Sequence, residues 1–268
     1  MNILKNIVIQ KREEIKQDKK EFPLQFLMDL ITKISVPTRN FFTCLNSDPY
    51  ISIIAELKFA SPSRGLIGKK KDLGKIVKAY DDGGVAAISV LTEENFFKGH
   101  PENIRKVKAI SNVPVLRKDF IIDEYQIYQS RCFGADAILL IASLLDQFLL
   151  SHFQNIAHSL NMDCLVEVHD IDELYKVLEV ESNIIGINNR NLENFSINLS
   201  RTGELSRLIP RNCLLVSESG IKNHQDIEEL SSYGIDAVLI GETLMSAKNP
   251  NNKVKELVGV MKKNGKRK

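Results

Sequence analysis

From about residue 51 onward, two patterns alternate along the chain. Short runs of Ile, Val, Leu and Ala are separated by longer stretches in which apolar residues recur every three or four positions. The apolar runs cover residues 52–58, 85–91, 113–118, 135–141, 163–168, 183–188, 213–217 and 235–240. A strand with one wet face alternates apolar and polar residues. A strand of a parallel sheet covered on both faces does not, and these runs are of that second kind. Between them, Leu73, Ile76, Val77 and Tyr80 form a stripe over 72–80, and His224, Ile227 and Leu230 form another over 223–230. That is helical spacing. Strand and helix in alternation predict βαβ units. Ahead of the first strand, residues 3–16 and 23–33 read as two helices, with Asp18, Lys19 and Lys20 as the polar break.

A repeat supports a count of eight strands. GVAAI at Gly84, GADAI at Gly134 and GIDAV at Gly234 open even-numbered strands, and odd-numbered strands begin near 113, 163 and 213. The recurring interval of 50 residues holds two βα units. Eight units of about 25 residues close a barrel of roughly 200. An open doubly wound sheet would usually begin with a GxGxxG turn, which is absent. The expected fold class is α/β, a (β/α)8 TIM barrel with an N-terminal helical extension. The expected division is 1–48 for the extension, 49–262 for the barrel and 263–268 for a basic C-terminal tail.

The chain has 268 residues, 43% hydrophobic and 26% charged, which excludes a chain too polar to fold. Its net charge of +2 provides no whole-molecule field for nucleic acid or an anionic membrane. The basic cluster Lys262, Lys263, Lys266, Arg267 and Lys268 reads as a frayed, solvated end. Cys44, Cys132, Cys164 and Cys213 are far apart and form no CxxC pair, so no disulfide framework or zinc knuckle is expected. A reducing, cytoplasmic location fits. The opening residues lack an apolar signal core, and the longest apolar stretch, 137–145, is too short to span a bilayer. Acceptor-like triplets at Asn194 and Asn198 carry no meaning in that compartment. Gly65, Gly68, Lys69 and Lys70 lack P-loop spacing. The five histidines form no HExxH motif, so surface or packing roles and no metal are expected. Oligomeric state is not encoded in any visible pattern, and a monomer is the working expectation.

Barrels of this kind bind ligands at the carboxyl ends of their strands. Alternation along each strand decides which residues point inward there. On the first strand Ile54, Glu56 and Lys58 share a face, and an ion pair serving only the fold is the plain alternative. Lys118 falls with Leu116, Glu167 with Leu165, and Asn188 and Arg190 with Gly186, while Ser219 is placed inward at the end of the seventh strand. Five apolar runs that finish on an inward polar group make a ring, the signature of an active site. Two carboxylates, Glu56 and Glu167, stand against three cations, Lys58, Lys118 and Arg190, which implies an anionic substrate. The Ser219–Gly220 turn and Gly241, with a short helix from Thr243, could bring backbone N–H groups to a phosphate. Cys164 and Cys213 lie at the amino ends of their strands, the wrong end for a nucleophile.

Seven stretches, in order, resemble the indole-3-glycerol phosphate synthase family of tryptophan biosynthesis. They are 54–65 (IAELKFASPSRG), 89–93 (SVLTE), 116–120 (LRKDF), 165–168 (LVEV), 185–190 (IGINNR), 217–221 (SESGI) and 239–242 (LIGE). The resemblance covers essentially the whole chain. It implies the substrate 1-(2-carboxyphenylamino)-1-deoxyribulose 5-phosphate and the products indole-3-glycerol phosphate, carbon dioxide and water, with no cofactor. It implies Lys118 as the acid for the ketone oxygen, with Glu56, Glu167 and Lys58 around the later steps. Asn188 and Ser219 complete the hydrogen bonds, and Lys58 and Arg190 hold the substrate carboxylate. Ser61 and Phe120 line the pocket. N–H groups near Ser219, Gly220, Gly241 and Glu242 receive the phosphate. Where the family often has serine after the glycine, this chain has Glu242, so its side chain is expected to point away from the phosphate. Two other readings stay open at this point: a sugar-phosphate isomerase of the phosphoribosylanthranilate type, and a non-catalytic barrel that binds phosphorylated ligands. The isomerase would want a Cys and Asp pair at strand ends.

Overall fold

The computed structural model describes residues 3–46, 49–62, 64–67, 72–191, 195–265 and 267. Ser63, Gly68, Lys69, Lys70, Asn194, Lys266 and Lys268, named above, lie outside them. The extension holds α1 (Ile3–Glu21), α2 (Leu24–Ile31) and α3 (Phe41–Asn46). The barrel strands are β1 (Ser52–Leu57), β2 (Ala87–Leu91), β3 (Val115–Lys118), β4 (Ala137–Ile141), β5 (Asp163–Val168), β6 (Ile184–Asn188), β7 (Leu214–Glu218) and β8 (Ala237–Ile240). All pair in parallel with their chain neighbours, and β1 closes the circle on β8. Ile54 of β1 lies opposite Ala87 on one side and Leu239 on the other.

The outer layer comprises α4 (Leu73–Gly83), α5 (Glu102–Ile110), α6 (Glu124–Phe133), α7 (Gln147–Ser159), α8 (Ile171–Glu179), α9 (Ser200–Ser206), α10 (His224–Ser231), α11 (Glu242–Ser246) and α12 (Pro250–Leu257). Side-chain caps start many of them. Asp72, Asp123, Asp146, Asp170, Asn223 and Asn249 each accept a backbone N–H of the first turn. Two of the repeat glycines have a physical role: Gly84 (φ 88°) and Gly134 (φ 89°) are left-handed caps that end α4 and α6 before the next strand.

The eight predicted strands are present, with shifted ends. Val85, Ala135 and Ile235 are buried but precede the first paired residue, and β7 runs one residue past Ser217. Burial makes a run apolar before the ladder begins, so composition overestimates strand length.

The extension departs from expectation in two ways. First, α1 continues through Asp18, Lys19 and Lys20 to Glu21. Charged residues of this type tolerate a helix well. The break falls at Phe22 and Pro23, where the ring removes an N–H donor and disfavours helix in the residue before it. Second, α3 was not anticipated. Its Phe41 and Leu45 are fully buried and join the interior cluster of Ile54, Leu116, Leu165 and Leu239. Their helix is anchored by the Asp163 carboxylate, which accepts the N–H groups of Phe41 (2.9 Å) and Phe42 (3.0 Å). The amino end of the barrel is thereby plugged, leaving the carboxyl end open for chemistry.

Among the described residues of the basic cluster, Arg267 and Lys262 are anchored, not solvated. Arg267 donates to the carbonyl of Gly234 (2.8 Å), the carboxylate of Asp236 (2.9 Å) and the carbonyls of Pro210 (2.8 Å) and Cys213. Lys262 donates to the carbonyl of Leu45 at 2.9 Å. A planar, five-donor guanidinium satisfies carbonyls that β7 and its neighbours leave open, which charge counting could not reveal. Arg267→Ala should therefore cost about 2 kcal/mol of stability and lower Tm by about 5 °C. Thermal unfolding by circular dichroism at neutral pH checks this, and an unchanged Tm contradicts the clamp.

Candidate active site

The inner face of the barrel is apolar over its lower layers, with Ile54, Leu116, Leu165, Ile184 and Val216 among its residues. One step further toward the carboxyl ends, the same faces carry Glu56, Lys118, Glu167, Asn188 and Glu218, all lining one cavity. Lys118 Nζ lies 3.1 Å from Glu167 Oε2 and 3.6 Å from Glu218 Oε2. Lys58 Nζ lies 3.5 Å from Glu56 Oε1 and 5.6 Å from the centre of the Phe97 ring. Two glycines make room for these acids. A Cβ at Gly186 would collide with Glu218 Oε1, and one at Gly241 with Glu56 Oε1.

Burial and mutual charge set the protonation of this cluster. Burial alone would lower the Lys118 ammonium, but Glu167, Glu218 and Glu56 reverse this and raise it above the usual lysine range. Burial likewise works to raise Glu167, yet Lys118 and His169 hold it below the usual carboxylate range. Glu218 goes the other way. Burial raises it, and Glu167 and Glu56 add to that against the pull of Lys118. Two neighbouring carboxyls are thus driven apart, one ionised and one holding its proton.

Around this floor the cavity is walled by Ser61, Phe97 and Phe120, with the two rings 6.0 Å apart. Ile3, Leu4 and Ile7 of α1 form part of the wall. The helix is held there by a buried Lys11–Asp119 ion pair at 3.2 Å and by Glu14, which accepts from Asn95 at 2.7 Å. Asp119 follows Lys118 directly. Burial opposes its charge, but Lys11 and Arg117 bring its carboxyl down to about 2. On the opposite rim stand Arg190, Ser219, Gly220, Gly241 and Glu242. Ser219 (φ 69°) and Gly220 (φ 91°) share a left-handed turn.

Every site residue expected from the sequence lines this cavity, and three details stand beside that. Alternation along β7 from Leu214 and Val216 puts Glu218 on the inner face, whereas Ser219 lies beyond the strand. The expected inward placement of Ser219 would need Ser217 on the inner face as well. Ser217 in fact faces outward, 2.8 Å from the Thr202 hydroxyl. The ring therefore holds three carboxylates, not two, and the missing clue was the parity of β7. Second, the Glu242 side chain is taken up by two arginines. It sits 3.0 Å from Arg64 Nε and 3.7 Å from Arg190, over the rim. Third, His169 is packed against the site, with its Nε2 3.3 Å from Glu167 Oε1. Among the described residues, no group of three or more His, Cys, Asp or Glu side chains is arranged to hold a metal ion.

Comparison with known proteins adds a family to this geometry. The family model described as indole-3-glycerol phosphate synthase matches residues 4–257. A curated protein of that name from Acetivibrio thermocellus is 47% identical over 259 residues, covering 96% of this chain and all of the relative. One from Clostridium kluyveri is 44% identical over 261 residues, covering 97% and 99%. Among solved structures, 3-hexulose-6-phosphate synthase from Salmonella typhimurium superposes with a TM-score of 0.63 at 13% identity. It covers 77% of this chain and 96% of its own, a likeness of fold alone.

The raised Glu218 carboxyl has a consequence for stability. A buried acid that keeps its proton above the usual 4.5 binds more protons folded than unfolded, so its contribution falls as pH rises. Glu218→Gln removes that loss. The Tm of the variant relative to wild type should therefore increase between about pH 5 and about pH 9. A constant difference across that range contradicts the assignment.

Proposed function

The chain belongs to the indole-3-glycerol phosphate synthase family, and on that premise we propose the roles of its site residues. The enzyme is a decarboxylating lyase of tryptophan biosynthesis, acting on a small phosphorylated substrate. It closes the ring of 1-(2-carboxyphenylamino)-1-deoxyribulose 5-phosphate, releases carbon dioxide and eliminates water. An anilino ring carbon attacks the ketone, and negative charge develops on the ketone oxygen. The new bond disrupts the aromatic ring, and loss of the carboxylate as carbon dioxide restores it, so no electron sink is needed. A hydroxyl then leaves as water. Over the whole sequence two protons are delivered to oxygen and one is taken from the ring system.

Lys118 gives the first proton, to the ketone oxygen. The observation that carries this role is its ammonium, 3.1 Å from Glu167 and 3.6 Å from Glu218 on the cavity floor. Charge developing on the substrate oxygen is stabilised there by a donor already in place. Glu167, ionised, is suited to take a proton, and Glu218, protonated, is suited to give one. Glu56 and Lys58 serve the later elimination, with Asn188 and Ser219 donating or accepting the remaining hydrogen bonds. Asn188 supports Glu167 by a side-chain hydrogen bond.

Lys58 and Arg190 hold the substrate carboxylate until it leaves. Ser61 and Phe120, with Phe97, press on the aromatic ring and fold the substrate back on itself, so positioning supplies a large share of the rate. Backbone N–H groups of Ser219, Gly220, Gly241 and Glu242 receive the phosphate. With its carboxylate engaged by Arg64 and Arg190, Glu242 contributes charge to the rim rather than to the phosphate. The isomerase reading loses its footing because the end of β1 carries Glu56 and is followed by Lys58, not a cysteine paired with an aspartate. A cytoplasmic enzyme fits the biosynthetic role of the family, and no helix among the described residues is long and apolar enough to cross a membrane. The division into extension, barrel and basic tail at 1–48, 49–262 and 263–268 belongs to the same reading.

Incubation with the carboxyphenylamino substrate should yield indole fluorescence. Lys118→Met should lower kcat by about a thousandfold while substrate still binds, because the acid acts in the transition state. Turnover near that of the wild type in this variant refutes the role. Arg190→Ala should raise KM by about tenfold or more with a smaller change in kcat. An unchanged KM counts against the carboxylate clamp.

A further inference from the structure

One largely covered titratable side chain at this site has no part in the roles above. His169 follows Glu167 by two residues, just past the end of β5, and so falls on the same side of the chain. It does not line the cavity. Its side chain is only 13% exposed. Its backbone N–H donates to Glu173 Oε2 at 2.7 Å, and its Nδ1 lies 3.3 Å from the same oxygen. Its Nε2 points back to Glu167 Oε1 at 3.3 Å, within ion-pair distance but off the hydrogen-bond line. The other oxygen of Glu167, Oε2, is on Lys118. The carboxylate is therefore divided, with one oxygen to the lysine and one to the imidazole.

We infer that His169 is a positioning residue: braced by Glu173, its ring holds Oε1 of Glu167 so that Oε2 stays directed at Lys118. Two physical needs support this. The terminal torsion of a glutamate is soft, so a carboxylate held on one side alone turns easily. In addition, Lys118 becomes neutral when it gives up its proton, and a buried carboxylate left without a counter-charge is costly. A cationic His169 keeps Glu167 ionised through that moment without touching the substrate. The charged groups facing the imidazole are Glu167 on its own strand, Glu173 from α8 and Arg201 from α9. Burial lowers its pKa, and the two carboxylates outweigh both that and Arg201, so the ring charges more readily than a free histidine. As pH rises past this raised value the charge, and the hold on Glu167, is lost.

The inference rests on the role proposed for Glu167, and the test separates the two. The pH profiles of kcat are compared for wild type, His169→Gln and Glu173→Gln, with thermal unfolding to verify that each folds. His169→Gln should lower kcat by about tenfold or more, change KM by less than about twofold, and remove an alkaline limb present in the wild type. Glu173→Gln removes a carboxylate that favours the imidazolium, so it should move that limb to lower pH by about half a unit or more. If His169→Gln does not fold, the limb in Glu173→Gln decides. A Glu173→Gln profile that overlays the wild type, or a folded His169→Gln with wild-type kcat, overturns the inference. If Glu167→Gln is inactive at the same time, the role proposed for Glu167 stands and only the histidine falls. An active Glu167→Gln brings down both.

Discussion

The site depends on one ammonium held among three carboxylates inside a closed sheet. Lys118 faces Glu167 and Glu218 directly and feels Glu56 across the barrel. In water such a cluster would disperse, because each charge is better solvated alone. Inside the barrel the strands fix the Cα positions, and the acids cannot separate. The system relaxes by moving protons instead: Glu218 keeps one, Glu167 gives one up, and Lys118 stays charged. A set of groups at different readiness to donate and accept is what a sequence of ring closure and dehydration requires. The cost of this crowding is borne by the apolar layers beneath, where Ile54, Leu116, Leu165, Val216 and Leu239 pack against the plug of Phe41 and Leu45.

The covering of the site follows from the same economy of charge. Asp119 neighbours Lys118 but points out of the barrel, into a buried set with Arg117, Thr92 and Lys11. Through Lys11 the first helix is tied to the backbone that carries the proposed acid. Its apolar residues Ile3, Leu4 and Ile7 then complete the cavity wall. An extension that looks like an appendage in the sequence is thereby part of the water-excluding shell, which strengthens every charge interaction inside.

Particular residues show where sequence reading stops. The strands were legible because a strand covered on both sides has to be apolar throughout, and the repeat glycines were legible because a helix end needs a left-handed residue. The break after α1 was misplaced, since polar residues do not end a helix and a proline does. Glu218 was missed by one step of parity, and a single-residue shift turns every side chain of a strand to its other face. The fixed point that would have corrected it is Gly186, whose missing side chain is the space that Glu218 fills. His169 was missed although both partners are near in sequence, because only the turn from β5 into α8 brings Glu173 back onto the imidazole.

By itself the sequence determined the alternation of strands and helices, the closed barrel and the end of it that carries charge. All of these follow from local periodicity and from what each residue can bury. Only the tertiary structure decided which acid keeps its proton, how α3 plugs one end of the barrel while α1 walls the cavity at the other, and where Arg267 is anchored. Those are distances between residues up to hundreds of positions apart, and protonation depends on such distances, whereas periodicity records only what neighbours along the chain require.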